Sequence, residues 1–513
     1  MNEIPKLIRK NNTATLWADG TPWLIFGAEV RNSSASDLAY MENVVWPQVR
    51  PLGLNTLLVP VSWELLEPEP GVFDFTLPDG LIAQARREGV RLILLWFGLW
   101  KNGMSTYVPE WMRAEPDTYF HMRDRHGRRI DAVSPLCDAA VERDAAAFAA
   151  LMAHLRDTDT HRTVLMVQVE NEMGLLGECR DFSPRAQQAY ESALPKEMAR
   201  FAKDEGATWR EAFGEQAPEL FMTWCYAAAA QRIAAAGRRE YALPLYVNAW
   251  LEQFPWTPGT YPVGGPIARH MEVWKALAPA IDCFAPDIYL PDFEQVCGEY
   301  AVGTKNPLFI PEARPCMDSA SNVFSAFGRF AALGFSPFAA EDLCGDVPAP
   351  DPAQLQELNI MAEAFCVYRS GEFLAQSYRL LRGMQALLVH FRGTHHMTGF
   401  TQYRQPGELV SFTRYDFRIQ YAPRSADVPK GGGLIIELSE NEFLLCGLGY
   451  SALPLVKNDD PGQAEILSIT EGYYEMGCWC PGRRLNGDER RLVLGSVPVA
   501  LRCRLRRYAE GET

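Results

Sequence analysis

The sequence predicts an α/β protein, a (β/α)8 TIM barrel followed by a smaller all-β C-terminal domain. Three observations predict this fold: eight short apolar runs recur before about residue 370, amphipathic stretches separate them, and the alternation then stops. A chain of 513 residues with 48% hydrophobic residues is long and apolar enough for one large and one smaller domain.

The eight apolar runs are the candidate barrel strands. Most are apolar on both faces, which is typical of a parallel sheet covered by helices. Between them lie segments such as DAAVERDAAAFAALMAHLRD at 138–157, with apolar residues at helical spacing. No glycine-rich nucleotide-binding motif follows any strand, so a closed barrel fits better than a nucleotide-binding sheet. The candidates span 23–30, 55–61, 91–98, 163–170, 243–250, 282–289, 307–313 and 334–341.

The last part of the chain has a different pattern. GGGLIIELSENEFLLCGLGYSALPL and RRLVLGSVPVALRCRLRRY are strand-like, with no further alternation of strands and helices. We therefore expect a barrel over 1–370 and an all-β domain over 371–513. DVPAPDPAQ at 346–354 is expected to be a loop before the last barrel helix.

Charge and cysteine content exclude several classes of protein. A net charge of −15 argues against nucleic acid or an anionic membrane surface as a partner. The first residues lack the apolar core of a signal peptide, and no apolar window is long enough to span a membrane. Most of the twelve cysteines lie in apolar runs, which is typical of reduced thiols and predicts a cytoplasmic protein.

Polar and aromatic residues cluster where the predicted strands end, which is where barrel enzymes place their active sites. A lone glutamate at a strand end is more often a helix cap or an ion-pair partner, but acids follow nearly every strand here. Carboxylates with tryptophan faces suit sugar chemistry, because cleavage of a glycosidic bond uses two carboxyl groups. Twelve of the thirteen tryptophans precede residue 275. The tryptophans predicted to face a sugar are Trp63, Trp96, Trp100 and Trp250.

The stretch MVQVENEMG at 166–174 offers two glutamates at the end of the fourth strand. Strand alternation would put Glu170 and Glu172 on one face, so depth has to choose between them. Glu170 lies deeper, where a structural carboxylate is plausible, whereas Glu172 lies at the rim. We therefore predict Glu172 as the general acid/base, Asn171 as a ligand of the sugar 2-hydroxyl, and Glu312 in PLFIPEARP as the nucleophile from the seventh strand.

MVQVENEMG resembles the Gln-Ile-Glu-Asn-Glu-Tyr-Gly signature of glycoside hydrolase family 35, the β-galactosidases of the large retaining (β/α)8 clan. SWELLEPEPGVFDF resembles that family's Trp-Asn-x-His-Glu-Pro segment, and GAEVRNSSAS and LLWFGLWKNGMSTYVPEWM resemble a bacterial branch with an all-β C-terminal domain. Glu172 and Glu312 match the family's acid/base and nucleophile. The resemblance also implies that Tyr289 hydrogen-bonds Glu312.

Two departures from the family bear on the choice of sugar. The second-strand asparagine and histidine of the family are Glu64 and Leu66 here. The third-strand Cys-Ala-Glu-Trp, whose glutamate holds galactose in the family, aligns with Phe97-Gly98-Leu99-Trp100. Lys101 and Asn102 would supply polar contacts instead, so a β-glucoside could fit as well as a galactoside.

The expected activity is that of a retaining exo-β-glycosidase, with β-galactosidase first and a β-glucosidase or a transglycosylase as alternatives. A sugar-binding protein on a decayed barrel would have lost a catalytic carboxylate, and a metal-dependent barrel hydrolase would need histidines at strand ends. We expect no metal and no cofactor, a glycoside or oligosaccharide as the partner, and, by the resemblance, a homo-oligomer as one expected form. The residues expected to hydrogen-bond the hydroxyls of the sugar are Glu29, Glu64, Lys101, Asn102 and Glu341.

Overall fold

The computed structural model describes residues 3–10, 13–202, 206–345, 365–457 and 462–508. Within them, eight parallel strands form one sheet, and their hydrogen-bonded neighbours follow in chain order. A parallel bridge between Ile288 and Ala313 joins the sixth strand to the seventh and closes the sheet. The predicted barrel is therefore confirmed. Its strands are β1 Ile25–Glu29, β2 Thr56–Ser62, β3 Arg91–Lys101, β4 Val164–Asn171, β5 Leu245–Trp250, β6 Cys283–Asp287, β7 Ile310–Ala313 and β8 Gly334–Pro337.

Helices surround the barrel. The longest, Asp138–Thr158 and Ala217–Glu240, follow β3 and β4 and pack against each other. None of the described helices combines the length and apolar character needed to cross a lipid bilayer. The described helices of four or more residues are Met41–Val45 (a π-helix), Trp46–Val49, Trp63–Leu66, Thr76–Glu88, Glu110–Arg113, Asp138–Thr158, Pro184–Glu191, Lys196–Ala199, Trp209–Phe213, Ala217–Glu240, Met271–Leu277, Phe293–Ala301, Ser319–Gly328, Ser370–Gly383 and Gln385–Phe391.

Apolar side chains fill the barrel interior below its mouth. Leu95 and Phe97 of β3 meet Tyr246 of β5 and Phe309 before β7 in one buried cluster. A small antiparallel sheet, Lys6–Lys10, Thr13–Ala18 and Thr21–Trp23, packs Leu16 into the same cluster from the N-terminal end. The interior is therefore a packed core, and only the C-terminal end is left for a polar site.

The C-terminal region is all-β from Met397 onward, which confirms the predicted change of fold class, but two helices, Ser370–Gly383 and Gln385–Phe391, lie in the range that was expected to be all-β. Its strands form two antiparallel sheets, one of six strands and one of four. The strands are Met397–Thr401, Gly407–Ser411, Tyr415–Tyr421, Gly432–Ser439, Glu442–Leu448, Tyr450–Val456, Gln463–Glu475, Cys478–Leu485, Leu492–Leu494 and Val499–Tyr508.

The junction between the two regions lies at the helix Ser370–Gly383. Its Tyr378 hydroxyl lies 2.8 Å from the carbonyl oxygens of Gly27 on β1 and Phe335 on β8, so this helix packs on the barrel. The domain boundary at 370/371 stays a prediction. The expected loop at 346–354 lies outside the described residues.

Candidate active site

Four carboxyl groups meet at the C-terminal mouth of the barrel. Glu29 ends β1, Glu172 follows β4, Asp287 ends β6, and Glu312 lies in β7. All four residues are at least 93% buried. Carboxylate oxygens of Glu172, Asp287 and Glu312 lie within 4.8 Å of one another. The parallel strands thus bring together acids that lie far apart in the sequence, including both predicted catalytic glutamates.

The backbone of Glu172 positions its side chain at the rim of the barrel. Its φ is +46°, and its backbone N–H donates to Asn248 Oδ1 of β5 at 2.9 Å. Burial raises the pKa of Glu172 to about 8, with the nearby charge of Glu312 adding to the rise and the cation of Lys101 opposing it. A carboxyl group with this pKa carries its proton at neutral pH and can donate it.

Glu312 accepts a hydrogen bond from the hydroxyl of Tyr289, at 2.9 Å from Oε2. Its other oxygen, Oε1, is buried. Burial, followed by the charge of Glu312, raises the pKa of the Tyr289 hydroxyl well above its usual value, so Tyr289 stays a donor. Tyr289 thus orients one oxygen of Glu312, and the Glu312 carboxyl also shares a hydrogen bond with that of Glu29.

Glu29 and Asp287 complete the acidic cluster. Burial is the largest cause that raises the pKa of each carboxyl well above its usual value, and the charge of Glu312 is the second. Asp287 Oδ2 accepts from Asn248 Nδ2 at 2.7 Å, and its carboxyl shares a hydrogen bond with that of Glu172. Asp287 and Asn248 were not among the predicted site residues; their positions at strand ends were the signal that could have found them.

The cation of Lys101 lowers the pKa of both Glu29 and Glu172 and so lies close to these acids. Lys101 ends β3, is 6% exposed, and donates from Nζ to Asn171 Oδ1 at 3.0 Å. The Nδ2 group of Asn171 and the Oδ1 atom of Asn102 are buried without a hydrogen-bond partner among the described residues. The structure therefore brings Lys101 and Asn171 together beside the acids, and Asn102 follows Lys101 in the chain with one unpartnered oxygen atom.

The expected shared face of Glu170 and Glu172 is wrong. Glu170 has a φ of +60°, in the left-handed region, and this breaks the alternation of side chains along β4. Its Oε2 accepts from the backbone N–H of Trp100 at 2.6 Å, and its carboxyl faces Asp144 of the helix Asp138–Thr158. A side chain on Gly98 would lie 2.7 Å from Asp144 Oδ2, so glycine makes room for this pair. Glu170 is a structural acid on the helix side.

The prediction that four tryptophans face a sugar is wrong for three of them. Trp63, Trp96 and Trp100 have no exposed surface and belong to the core between strands and helices. Their indole N–H groups donate inside the protein, Trp63 to Glu67, Trp96 to Asp144, and Trp100 to the carbonyl of Val133. Their size and apolar area are used in packing, which the strand-end positions alone did not show.

The remaining predicted residues differ in their surroundings. Trp250 ends β5 and is half-buried. Glu64 forms an ion pair with Arg113 at 2.8 Å, which occupies part of its carboxylate. Glu341 accepts hydrogen bonds from the backbone N–H of Arg31 and from the hydroxyl of Ser34. Glu341 therefore anchors the loop after β1, contrary to the prediction that it grips a sugar hydroxyl.

A groove of about 1090 Å³ is lined by the loop after β1 and by segments after β7 and β8, and its described lining includes none of the four acids. Phe365 lies in its wall and stacks on the ring of Tyr289, with ring centroids 5.5 Å apart. Asn32, also in the wall, has a buried Oδ1 atom with no hydrogen-bond partner among the described residues. Through Phe365, the wall of the groove contacts Tyr289, the residue that orients Glu312.

Two family models match the chain. Residues 46–219 match the model described as Beta-galactosidase, that of glycoside hydrolase family 42, and residues 374–495 match a domain of unknown function, DUF5597. No curated protein matches the sequence at a significant level. The comparisons do not support the resemblance to family 35 in particular, because the matching barrel model is that of family 42.

Solved structures with similar backbones include three glycoside-cleaving enzymes. The catalytic domain of β-amylase from Paenibacillus polymyxa has 12% identity and a TM-score of 0.48, covering 66% of this chain and 97% of that one. β-Galactosidase from Bacillus circulans sp. alkalophilus has 16% identity and a TM-score of 0.45, covering 61% and 50%. An exo-β-1,4-mannosidase from Opitutaceae bacterium strain TAV5 has 17% identity and a TM-score of 0.41, covering 72% and 61%.

The family match, rather than these distant superpositions, bears on function. It covers β3, β4 and the helix between them, the part of the barrel that supplies Lys101, Asn171 and Glu172. The chain is an enzyme, a β-galactosidase-like glycosidase on a TIM barrel.

Proposed function

We propose that the protein is a retaining exo-β-glycosidase, with a terminal β-galactoside as the preferred substrate. The observation that carries the proposal is the separation of the two carboxyl groups, since oxygens of Glu172 and Glu312 lie within 4.8 Å. Retaining glycosidases hold their carboxyl groups about 5–5.5 Å apart, whereas inverting enzymes need about 6.5–9.5 Å to admit a water molecule. The bound of 4.8 Å applies to the closest oxygens of the two carboxyl groups, and so close an approach favours the shorter, retaining separation and supports a double displacement.

In the first step, Glu172 donates its proton to the glycosidic oxygen as the bond to the anomeric carbon breaks. Glu312 attacks that carbon through a carboxylate oxygen and forms a covalent glycosyl ester. In the second step, Glu172 takes a proton from water, the water oxygen attacks the anomeric carbon, and the ester bond to Glu312 breaks. The raised pKa of Glu172 suits the first role, and loss of the charge on Glu312 in the intermediate lowers that pKa and suits the second.

Polar groups around the pair support the binding of a single sugar ring. In this proposal Asn171 Nδ2 donates to the 2-hydroxyl, while Glu29, Lys101 and Asn102 bind further hydroxyls. Unpartnered buried atoms on Asn171 and Asn102 support these roles, because a buried polar atom without a partner is costly unless a ligand supplies one. Trp250, half-buried at the end of β5, stacks against the leaving group in this proposal.

A β-glucosidase or a transglycosylase with the same catalytic pair is the second candidate. The side chains of Phe97, Leu99 and Trp100 are buried in cores, so none of them replaces the glutamate that holds galactose in family 35. Lys101 is the polar side chain of β3 at the mouth. A lysine in that place donates hydrogen bonds to sugar hydroxyls, whereas a glutamate accepts them. The choice of sugar therefore stays open to a glucoside.

The test is a set of initial rates on nitrophenyl β-galactoside, β-glucoside and related glycosides. Glu312→Ala should lower kcat at least roughly 10⁴-fold, the scale on which loss of a catalytic nucleophile acts. Glu172→Gln should lower kcat/KM on substrates with poor leaving groups by about 10²–10⁴-fold. Glu170→Gln is the matched control, since it alters the neighbouring acid on the helix side, and it should keep near wild-type kcat.

Two outcomes would contradict the assignment. Undiminished turnover by Glu312→Ala would remove Glu312 as the nucleophile. Proton NMR of the first product should show the β-anomer, and an initial α-anomer would mean inversion. A glucoside preference that is lost in Glu312→Ala would keep the mechanism and select the second candidate, and product analysis at high substrate concentration would separate hydrolysis from transglycosylation.

A further inference from the structure

A second cluster of metal-binding side chains lies in the all-β region. It consists of His395, His396 and Glu437, and we call it the His-His-Glu cluster. One possible ligand atom from each residue lies within 4.8 Å of the other two. The only other such group among the described residues is the acidic trio at the barrel mouth.

Strand pairing explains why these residues meet. Met397–Thr401 runs antiparallel to Gly432–Ser439, and the backbone N–H of Glu437 donates to the carbonyl of His396 at 2.8 Å. The histidines lie in the turn before the first of these strands, where neighbours need not point to opposite faces. Their rings stand side by side, with centroids 3.8 Å apart.

The carboxylate of Glu437 is buried and only partly satisfied. Oε2 accepts from the hydroxyl of Thr413 at 2.7 Å and lies 2.8 Å from His396 Nδ1. Oε1 is buried and has no hydrogen-bond partner among the described residues, although the residue as a whole is only 3% exposed. A desolvated anionic oxygen without a partner is costly, and a bound cation would remove that cost.

We propose that the His-His-Glu cluster binds one zinc ion. Two imidazole nitrogens and a carboxylate form a ligand set that zinc accepts, whereas calcium and magnesium prefer oxygen ligands throughout. His395 is exposed, so an ion can reach the cluster from solvent. A simple ion pair between His396 and Glu437 would account for one contact, but it leaves Oε1 of Glu437 and the place of His395 unexplained.

The test uses the full chain, stripped of metal with EDTA and titrated with Zn²⁺ by calorimetry. The expected result is a zinc ion bound at this cluster whose affinity falls more than about 100-fold in His395→Ala, since even outer-shell changes cost about 10–100-fold. His161→Ala, which removes another exposed histidine, should bind zinc as the wild type does. Glu312→Gln should also keep this site, which separates it from the acidic trio.

Co²⁺ provides a second readout, because its visible spectrum reports ligand type. We expect bands of a nitrogen and oxygen site without a thiolate charge-transfer band. The proposal is overturned if His395→Ala binds zinc unchanged, if binding is lost in Glu312→Gln alone, if a thiolate band appears, or if no zinc binds at micromolar concentration. His395→Ala should keep full glycosidase activity, so these outcomes do not depend on the proposed function.

Discussion

At the scale of single residues, the surroundings of each glutamate decide its chemistry. Glu170 and Glu172 are two positions apart and both have left-handed backbones. One faces Asp144 on the helix side, and the other faces Glu312 at the mouth. Burial raises the pKa of both, but only Glu172 lies where a substrate could take its proton.

Lys101 should set the basic limb of the pH profile. Because its cation lowers the pKa of Glu172, Lys101→Met should raise that pKa further above about 8. The protonated acid then persists to higher pH, and the basic limb of kcat/KM should move up by roughly one pH unit. Lys275→Met is the control, because this half-buried lysine of the helix Met271–Leu277 pairs with Glu272. A limb that stays in place would show that another group controls it.

Glu170 should make stability depend on pH. Burial, followed by the charge of Asp144, raises the pKa of Glu170, so the folded chain keeps a proton that an unfolded glutamate releases above about pH 4.3. Stability from this site is therefore present at low pH and is lost as pH rises toward the folded pKa. Glu170→Gln removes that dependence and should be more favourable relative to wild type at pH 8 than at pH 5 in urea unfolding. An equal difference at both pH values would contradict the raised pKa.

At the scale of elements, the helix Ser370–Gly383 stabilises the barrel at the edge between its first and last strands. Tyr378 is fully buried, and its hydroxyl reaches carbonyl oxygens of both β1 and β8. These contacts join the helix Ser370–Gly383 to the first and the last strand of the barrel, so they form only when the barrel closes.

Tyr378→Phe should lower the free energy of unfolding by about 1–3 kcal/mol, because it removes the donor from two buried carbonyl groups. The measurement is the shift of the denaturant midpoint, with Tyr368→Phe, 54% exposed, as the control. Equal midpoints for Tyr378→Phe and the wild type would mean that the carbonyl oxygens find other donors.

At the scale of the whole molecule, the barrel and the all-β region share one apolar core. Met397 and Leu434 of the six-stranded sheet belong to the same buried cluster as Phe324 of the helix Ser319–Gly328. A second cluster lies wholly within the all-β region. Asp318, before that helix, accepts hydrogen bonds from Arg424 and from the backbone N–H of Lys430.

The homo-oligomer and the cytoplasmic location stay predictions.

Gly399 should be sensitive because the sheet approaches the helix closely there. A Cβ atom at Gly399 would lie 2.8 Å from Ser325 Cα, closer than real Cβ atoms come to backbone. Gly399→Ala should therefore lower stability by about 1–3 kcal/mol through overpacking. Gly495→Ala is the control, since a Cβ there has nothing within 4 Å. Equal thermal midpoints for the two variants would contradict the close approach.

Periodicity was enough to predict the barrel, because each parallel strand buried on both faces leaves an apolar run in the sequence. Strand ends likewise placed Glu29, Glu172 and Glu312 at one mouth, where the structure has them. What periodicity could not show is rotation about the strand. The left-handed φ of Glu170 depends on helices that the strand pattern does not specify. So does the burial of Trp63, Trp96 and Trp100 in the core between strands and helices.

The sequence by itself determined the order of strands, the change to an all-β tail and the acids at the strand ends, since these follow from local patterns of apolar and polar residues. Only the tertiary structure decided which acids face each other. The distance between Glu172 and Glu312, the raised pKa of Glu172 and the bond from Tyr289 arise from strands far apart in the chain. Burial and Coulomb interactions depend on distances through space, which sequence separation does not give.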